Sequence, residues 1–391
     1  MAKDEQAQKL TPKQRAAKKR RNMIIFIVEL LILAVVVVGV IVVVKFTGSS
    51  HTNMETGLMV DDSSFDTDVV YYNPDIVDVD DKGNVVLDDT NAMSNYYQIA
   101  LFGVDSRSKN LSKGDNRSDT IIIACVDKTT KEVKLCSVYR DTYLNLGNDK
   151  YGKCNGAFAA GGPTNAITML NMNLDIAVTD YVVVGFTGLI DIIDALGGVW
   201  VDVQENEIKH LNNYQISMVG TTTDDKNFYA TPGVDYTPVE NAGYQLLNGL
   251  QATAFCRIRY VGSDFGRTER QRTVIEAAME QAKKMDASSL IKILNSDVFK
   301  EFDTSLDIDF ISDVLTHLGD YKIIMSEGFP SQDMLVCGNI GSKGSCVVPV
   351  SLESNVEYLH KLLFNDETYT ATEAVKKYST RVYEDTISYL K

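Results

Sequence analysis

Residues 23–44, MIIFIVELLILAVVVVGVIVVV, form an apolar run broken by a single charge, Glu29. As a helix, about 22 residues at roughly 1.5 Å each cross a hydrocarbon layer about 30 Å thick. The apolar character continues all the way round, so no polar face is left for a water-soluble helix, and the run is too long for the core of a signal peptide. Lys13, Arg15, Lys18, Lys19, Arg20 and Arg21 precede it, and Lys45 alone follows it closely. That excess of cations predicts a single-pass segment with a cytosolic arm and an exported remainder. Glu29 stands within two turns of the cytosolic end, where protonation, snorkelling or a helix–helix contact accommodates it.

The rest of the chain divides accordingly. Residues 1–22 form the basic arm and 23–45 the span; 46–94 are polar and acidic, without sustained periodicity, and read as a spacer outside the membrane. The aspartates within 77–84 resemble a calcium loop only superficially, because the closing glutamate is absent. Residues 95–365 read as one folded domain and 366–391 as a helical or frayed tail.

Within the domain, strands are predicted at 97–105, 119–127, 132–141, 181–186, 199–203, 252–260, 321–329 and 345–350. Helices are predicted from Pro163 to about Asn171, over 187–196 ahead of Gly197-Gly198, and from the Thr237–Glu240 capping pattern to Asn248-Gly249. More follow over 267–285, 287–296, 308–319 and 352–364, while 204–235 reads as an irregular surface excursion. Strands alternating with helices predict a layered α/β/α domain with a central mixed sheet flanked by helices.

Six cysteines, Cys125, Cys136, Cys154, Cys256, Cys337 and Cys346, lie in the exported part without C-x-x-C spacing, which argues against zinc. An even count outside the membrane permits disulfides. Cys337 with Cys346, across a short Gly-rich loop, and Cys125 with Cys136, across a hairpin, are the expected pairs.

Positive charge gathers in one stretch, CRIRYVGSDFGRTERQR over 256–272, although the chain carries a formal net charge of -15. On a strand, Arg257 and Arg259 share a face; on the following helix Arg267, Arg270 and Gln271 share another, with Arg272 off it. Converging guanidinium groups repel unless an anion holds them. Three further segments offer Arg–Asp combinations at strand ends: Asp105 with Arg107, Arg117 with Asp119, and Arg140 with Asp141. Single Arg–Asp pairs are commonly structural; three of them beside five arginines point to an anionic ligand. Arginines with the carboxylates of Asp105 and Asp119 suit a phosphate ligand and Mg²⁺. Ser/His/Asp arrangements, a GxSxG elbow and a Walker loop are all lacking.

FGVDSR, NRSDTIII, SVYRDTY, KCNGAFAAGGP, YVVVGFTGLIDIIDALGGVWVDV and RIRYVGSDFGRTERQR, in this order after one N-terminal span, resemble the LytR–CpsA–Psr family of cell-wall enzymes. The resemblance implies a membrane-anchored transferase facing outward in a Gram-positive-type envelope. It would attach anionic glycopolymers, teichoic-acid-like or capsular, from a polyprenyl-pyrophosphate-linked donor to peptidoglycan, with Mg²⁺. It further implies metal ligation by Asp105 and Asp119 and pyrophosphate binding by Arg117, Arg140, Arg257, Arg259 and Arg267. Asp264 and Gln271 would be polar contacts to the donor, Asp141 would orient Arg140, and either Asp105 or Asp119 would take the acceptor's proton. The strand 181–186 and the helix 189–196 line a lipid tunnel or are plain core. Cys154 and Cys256 depart from the family's apolar residues. Hydrolysis of the same lipid needs the same residues, so it stands as an alternative. A non-catalytic regulator is the other; nucleic-acid binding is disfavoured by the acidic charge and the outward topology.

Overall fold

The computed structural model describes residues 55–58, 66–104, 111–112, 116–147, 149–224, 227–286, 289–290, 293, 302–306 and 318–390. The expected span, the basic arm, Asp105, Arg107 and most of the helices expected at 287–296 and 308–319 lie outside the described residues. Among the described residues, no helix is long and apolar enough to cross a membrane.

The strands that build the domain are β1 (Val69–Tyr72), β2 (Tyr96–Val104), β3 (Ser118–Asp127), β4 (Glu132–Val138), β5 (Asp180–Val184), β6 (Val199–Val203), β7 (Gly243–Leu247), β8 (Phe302–Thr304), β9 (Lys322–Phe329), β10 (Leu335–Asn339) and β11 (Ser345–Pro349). The helices are α1 (Asn155–Leu174), α2 (Phe186–Ala195), α3 (Glu205–Val219), α4 (Gly249–Cys256), α5 (Ser263–Lys283), α6 (Leu352–Phe364) and α7 (Glu373–Thr386). Six strands make the central sheet in the order β8-β5-β2-β3-β4-β9. β2, β3 and β4 run antiparallel in succession, whereas β5 joins β2 and β9 joins β4 in parallel, so the sheet is mixed.

Alternation along these strands sends residues to two cores. Ile99, Leu101, Ile122, Ala124 and Val182 face α2, α4 and α5. Ala100, Phe102, Ile121, Ile123 and Val183 face α1, α6 and α7. Both sides of the sheet are covered, which makes the three layers that the strand–helix alternation predicts.

Several segments differ from the sequence expectation. Residues 252–260 are not a strand: α4 ends at Cys256 and a loop follows. Residues 237–248 are not a helix but contain β7, paired antiparallel with β6. Asn248-Gly249 starts a helix instead of ending one. The Asn248 side chain accepts from Gln251 N at 2.9 Å while the Gln251 side chain accepts from Asn248 N at 2.9 Å, a reciprocal cap. Gly249 suits this start because α4 crosses α2 there; a Cβ would fall 2.1 Å from the Ile190 carbonyl oxygen. The stretch 204–235, expected to be irregular, holds α3, capped in the same reciprocal way by Gln204 and Glu207. In the acidic stretch expected as a spacer, Val70, Tyr72 and Val77 are buried against the core, and in the expected tail Val375 and Val382 of α7 are too.

No disulfide joins any of the six cysteines. Cys337 lies opposite Val347 in the β10–β11 hairpin while Cys346 lies opposite Gly338, so the two are offset; Cys337 is exposed and Cys346 buried. Cys125 pairs in register with Lys134 and Cys136 with Ile123, so that expected pair is not directly opposed either.

Candidate functional site

β2 ends at Val104 and β5 at Val184, their carboxyl ends side by side, and β3 begins beside them at Ser118. Strand ends of this kind are where layered α/β folds place ligands. A bulge lies between Gly103 and Val104, which pair with Thr120 and Ser118, so Asp119 falls at the irregularity.

Three arginines from distant parts of the chain close on Asp119. Arg140 Nη1 reaches Oδ1 at 2.7 Å, and Arg267 Nη2 and Arg259 Nη2 reach Oδ2 at 2.9 and 3.1 Å. Arg267 Nη2 also donates to the Asp119 main-chain carbonyl at 3.1 Å. Burial by itself raises the Asp119 carboxyl, but the guanidinium groups of Arg267, Arg140 and Arg259 outweigh it and hold it below the ordinary carboxylate range. One carboxylate faces three cations, so the cluster keeps a local excess of positive charge.

This cluster stands where two cavities meet. On one side a cavity of about 100 Å³ runs between the sheet and α2, α4 and α5. Its walls are Leu101, Ile122, Val182, Ile192, Val274 and Ala278, and its polar rim is Asp119, Arg257, Arg267 and Gln271. On the other side a smaller cleft is lined by Tyr139, Arg140, Asp141 and Thr268 and shares Asp119, Thr120, Arg267 and Gln271 with the first. The expected reading of strand 181–186 and helix 189–196 as tunnel wall or plain core is decided in part: Val182, Val184, Leu189, Ile192 and Ile193 do line the apolar cavity.

The remaining expected residues are placed as follows. Arg257 lies at the rim with its guanidinium carbon 4.2 Å from the Phe186 ring centroid. Asp141 lines the cleft; Lys153 Nζ approaches it at 3.0 Å, closer than Arg140 Nε at 3.9 Å, so Lys153 is its main cation. Arg117 is exposed and lines neither cavity. Asp264 sits in the first turn of α5, and its side chain lies outside the described residues, as does all of Asp105. Arg270 is drawn away from the cluster to Glu207, 3.1 Å off. Arg272, expected as solvated charge, donates to Ser137 Oγ at 3.1 Å. Cys256 is buried, and burial raises its thiol pKa, which disfavours the thiolate.

The sequence reading missed Lys153, Glu207 and Tyr214. For Glu207 a signal existed, because Gln204-x-x-Glu207 is a capping pattern ahead of an amphipathic run. Among the described residues no group of three or more His, Cys, Asp or Glu is set to hold a metal. Asp119 is a hard oxygen donor, ionised and 14 % exposed at the junction of the cavities. Both its oxygens are held by guanidinium groups, so it would ligate Mg²⁺, which takes one or two carboxylates and phosphate oxygens, only once a donor phosphate has drawn those groups off.

Comparison with known proteins bears on the family and the fold. The LytR_cpsA_psr family model matches residues 70–351. Biofilm regulatory protein A of Streptococcus mutans is 31% identical over 222 residues, covering 54% of this chain and 50% of that protein. The polyisoprenyl-teichoic acid–peptidoglycan teichoic acid transferase TagU of Enterococcus faecalis is 30% identical over 216 residues, covering 54% and 62%. The chain thus spans less than two thirds of the length of either relative. The structure of TagT of B. subtilis, bound to LIIa-WTA, matches with a TM-score of 0.55 at 20% identity, over 73% of this chain and 95% of that one, a likeness of fold.

Proposed function

Since the chain belongs to the LytR_cpsA_psr family, we propose that it transfers an anionic glycopolymer from a polyprenyl-diphosphate-linked donor to a hydroxyl of peptidoglycan. The observation that carries this reading is the junction: three arginines on one carboxylate, with an apolar cavity on one side and a polar cleft on the other. A diphosphate joining a lipid to a sugar has the same sequence of parts, apolar, anionic, polar. The name of TagU states a teichoic acid transferase, and TagT was solved with LIIa-WTA, which support the same class of substrate.

In this scheme Asp119 holds Arg140, Arg259 and Arg267 together until the donor's phosphate oxygens take its place as their acceptor. The prenyl chain lies along Leu101, Ile122 and Val182, and the glycan extends into the cleft beside Tyr139 and Asp141. The acceptor oxygen forms a bond to the glycan-linked phosphorus, the bond to the bridging oxygen breaks, and polyprenyl phosphate leaves. The arginines neutralise the charge that develops on the phosphoryl oxygens, which is the main requirement of phosphoryl transfer. Asp119 is a weak base while three guanidinium groups hold it; once donor oxygens take those groups over, Asp119 or Asp105 accepts the acceptor's proton. Mg²⁺, held by Asp119 and Asp105 with donor oxygens, would add charge neutralisation when bound. The run 23–44 anchors the chain with the domain outside, as the cation asymmetry across it supports.

The test is product analysis with a lipid-diphosphate glycan, with and without peptidoglycan. Glycan joined to the acceptor, with polyprenyl phosphate released, is expected. Release of free glycan phosphate at the same rate without acceptor would instead establish a hydrolase, and an unchanged donor would sink both.

A further inference from the structure

The loop carrying Arg257 and Arg259 runs over residues 257–262, between α4 and α5, and belongs to no strand. One face of α3 holds it. Glu207, His210 and Tyr214 stand at i, i+3 and i+7 and so share a side of the helix. Each meets the loop or its anchor. Glu207 Oε1 accepts from Arg270 Nη1 at 3.1 Å, and Arg270 Nη2 donates to the carbonyls of Ile258 at 2.6 Å and Val261 at 2.7 Å. The His210 ring stacks on that of Tyr260, with centroids 5.2 Å apart and planes 23° apart. The Arg257 guanidinium carbon lies 5.6 Å from the Tyr214 ring centroid.

We propose that Glu207 is a positioning residue for the arginine clamp, acting through Arg270 to fix the 257–262 loop so that Arg257 and Arg259 stand at the cavity mouth. The pair is deeply buried, Glu207 at 5% and Arg270 at 6% exposure. A buried ion pair adds little net stability, because desolvation offsets its attraction. What this pair does provide is direction. A planar guanidinium oriented by one carboxylate fixes two carbonyls, those of Ile258 and Val261, which bracket Arg259 and Tyr260. Glu207 has a second task, since its Oε2 accepts from Gln204 N at 2.9 Å and closes the start of α3. A glutamine at 207 retains that cap, so capping and positioning can be separated.

The proposal rests on reading the clamp as a diphosphate site. Its test is the double variant Glu207→Gln with Arg270→Met, which retains the cap and the buried volume but removes the anchor for the carbonyls. The readouts are the melting temperature, amide exchange over 257–262, the Kd for farnesyl diphosphate, and kcat and KM for transfer. Misplacing catalytic groups by about 1 Å costs on the order of 100-fold in rate. We therefore expect an unshifted melt, faster exchange confined to the loop, weaker farnesyl diphosphate binding and about a 100-fold fall in kcat/KM. A folded double variant with wild-type binding and turnover overturns the proposal. Should that variant not fold, His210→Ala, on the same helix face, must raise loop exchange and weaken binding several-fold; unchanged values overturn the proposal equally. Wild-type protein that does not bind farnesyl diphosphate overturns the diphosphate reading, and the positioning role with it.

Discussion

Arg267 holds Asp119 at two points with one nitrogen: Nη2 lies 2.9 Å from the carboxylate and 3.1 Å from the main-chain carbonyl of the same residue. The side chain is 6% exposed and borders both cavities, so the apolar and polar halves of the site share this contact. A planar guanidinium can serve both oxygens and still offer a nitrogen to a ligand, which an ammonium group cannot do in the same geometry.

Arg267→Lys, which retains the charge and loses the fork, is expected to lower transfer by about 100-fold or more, in the range for a lost transition-state donor. Turnover on a lipid-diphosphate glycan, beside a far-ultraviolet spectrum showing native helix content, checks this. Activity within a few-fold of wild type would place Arg267 outside the chemistry.

Asp119→Asn removes the anion that the three arginines share. If Asp119 stands where donor phosphate will come, the variant binds farnesyl diphosphate without metal at least as tightly as wild type while losing transfer by about 100-fold. Calorimetric titration in the presence of a chelator decides the first half, and a marked loss of binding there would contradict the exchange of acceptors.

Ile275 lines the apolar cavity and is half-buried. Ile275→Trp adds bulk to the apolar cavity and replaces none of the arginines. Affinity for a long prenyl diphosphate is expected to fall about tenfold or more, while that for inorganic pyrophosphate stays unchanged. Equal losses for both ligands would mean that the cavity does not take the prenyl chain.

His360 is buried and stacks on Tyr369, with Nε2 3.0 Å from the Leu174 carbonyl. Burial, opposed in part by that carbonyl and by Asp175, lowers its pKa from 6.5 to about 4. The unfolded chain therefore takes up a proton that the folded chain refuses between these values. Stability is at full strength above pH 6.5 and is lost as pH falls towards 4, by an amount on the order of 3 kcal/mol. Melting temperatures across that window should drop for wild type and drop less for His360→Leu. Parallel curves would show that other groups govern acid sensitivity.

Among the cysteines only Cys337 is exposed, and burial raises the thiols of Cys125, Cys136, Cys154 and Cys256. A thiol reagent at neutral pH is expected to modify Cys337 rapidly and the other five only on unfolding. Two thiols missing from the unfolded count would reveal a disulfide that this arrangement does not contain.

The core strands were legible because alternation and apolar runs carry their own period: β2, β3 and β5 fall within a residue or two of their expected positions, and β4 starts where expected but ends three residues early. The charged site was legible in part for the same reason. Asp119, Arg140, Arg259 and Arg267 follow strand or loop signals and do meet, although Arg259 arrives on a loop and not on a strand. The reading failed around 237–260, where two capping patterns compete. Thr237–Glu240 and Asn248–Gln251 look alike in sequence, and only the pairing of β7 with β6 and the close approach of Gly249 to Ile190 select the second.

By itself the sequence determined the apolar run, the layered α/β arrangement and the concentration of arginine and aspartate at strand ends, since periodicity, length and charge are local properties. Tertiary structure alone decided which arginines share Asp119, that Arg270 turns instead to Glu207, that Lys153 takes Asp141, and that the cysteines form no disulfide. Those choices rest on distances between residues as many as 148 positions apart, as for Arg267 and Asp119. A guanidinium group is satisfied by whichever oxygen the packed backbone brings within about 3 Å, and nothing in the local sequence encodes that oxygen's place.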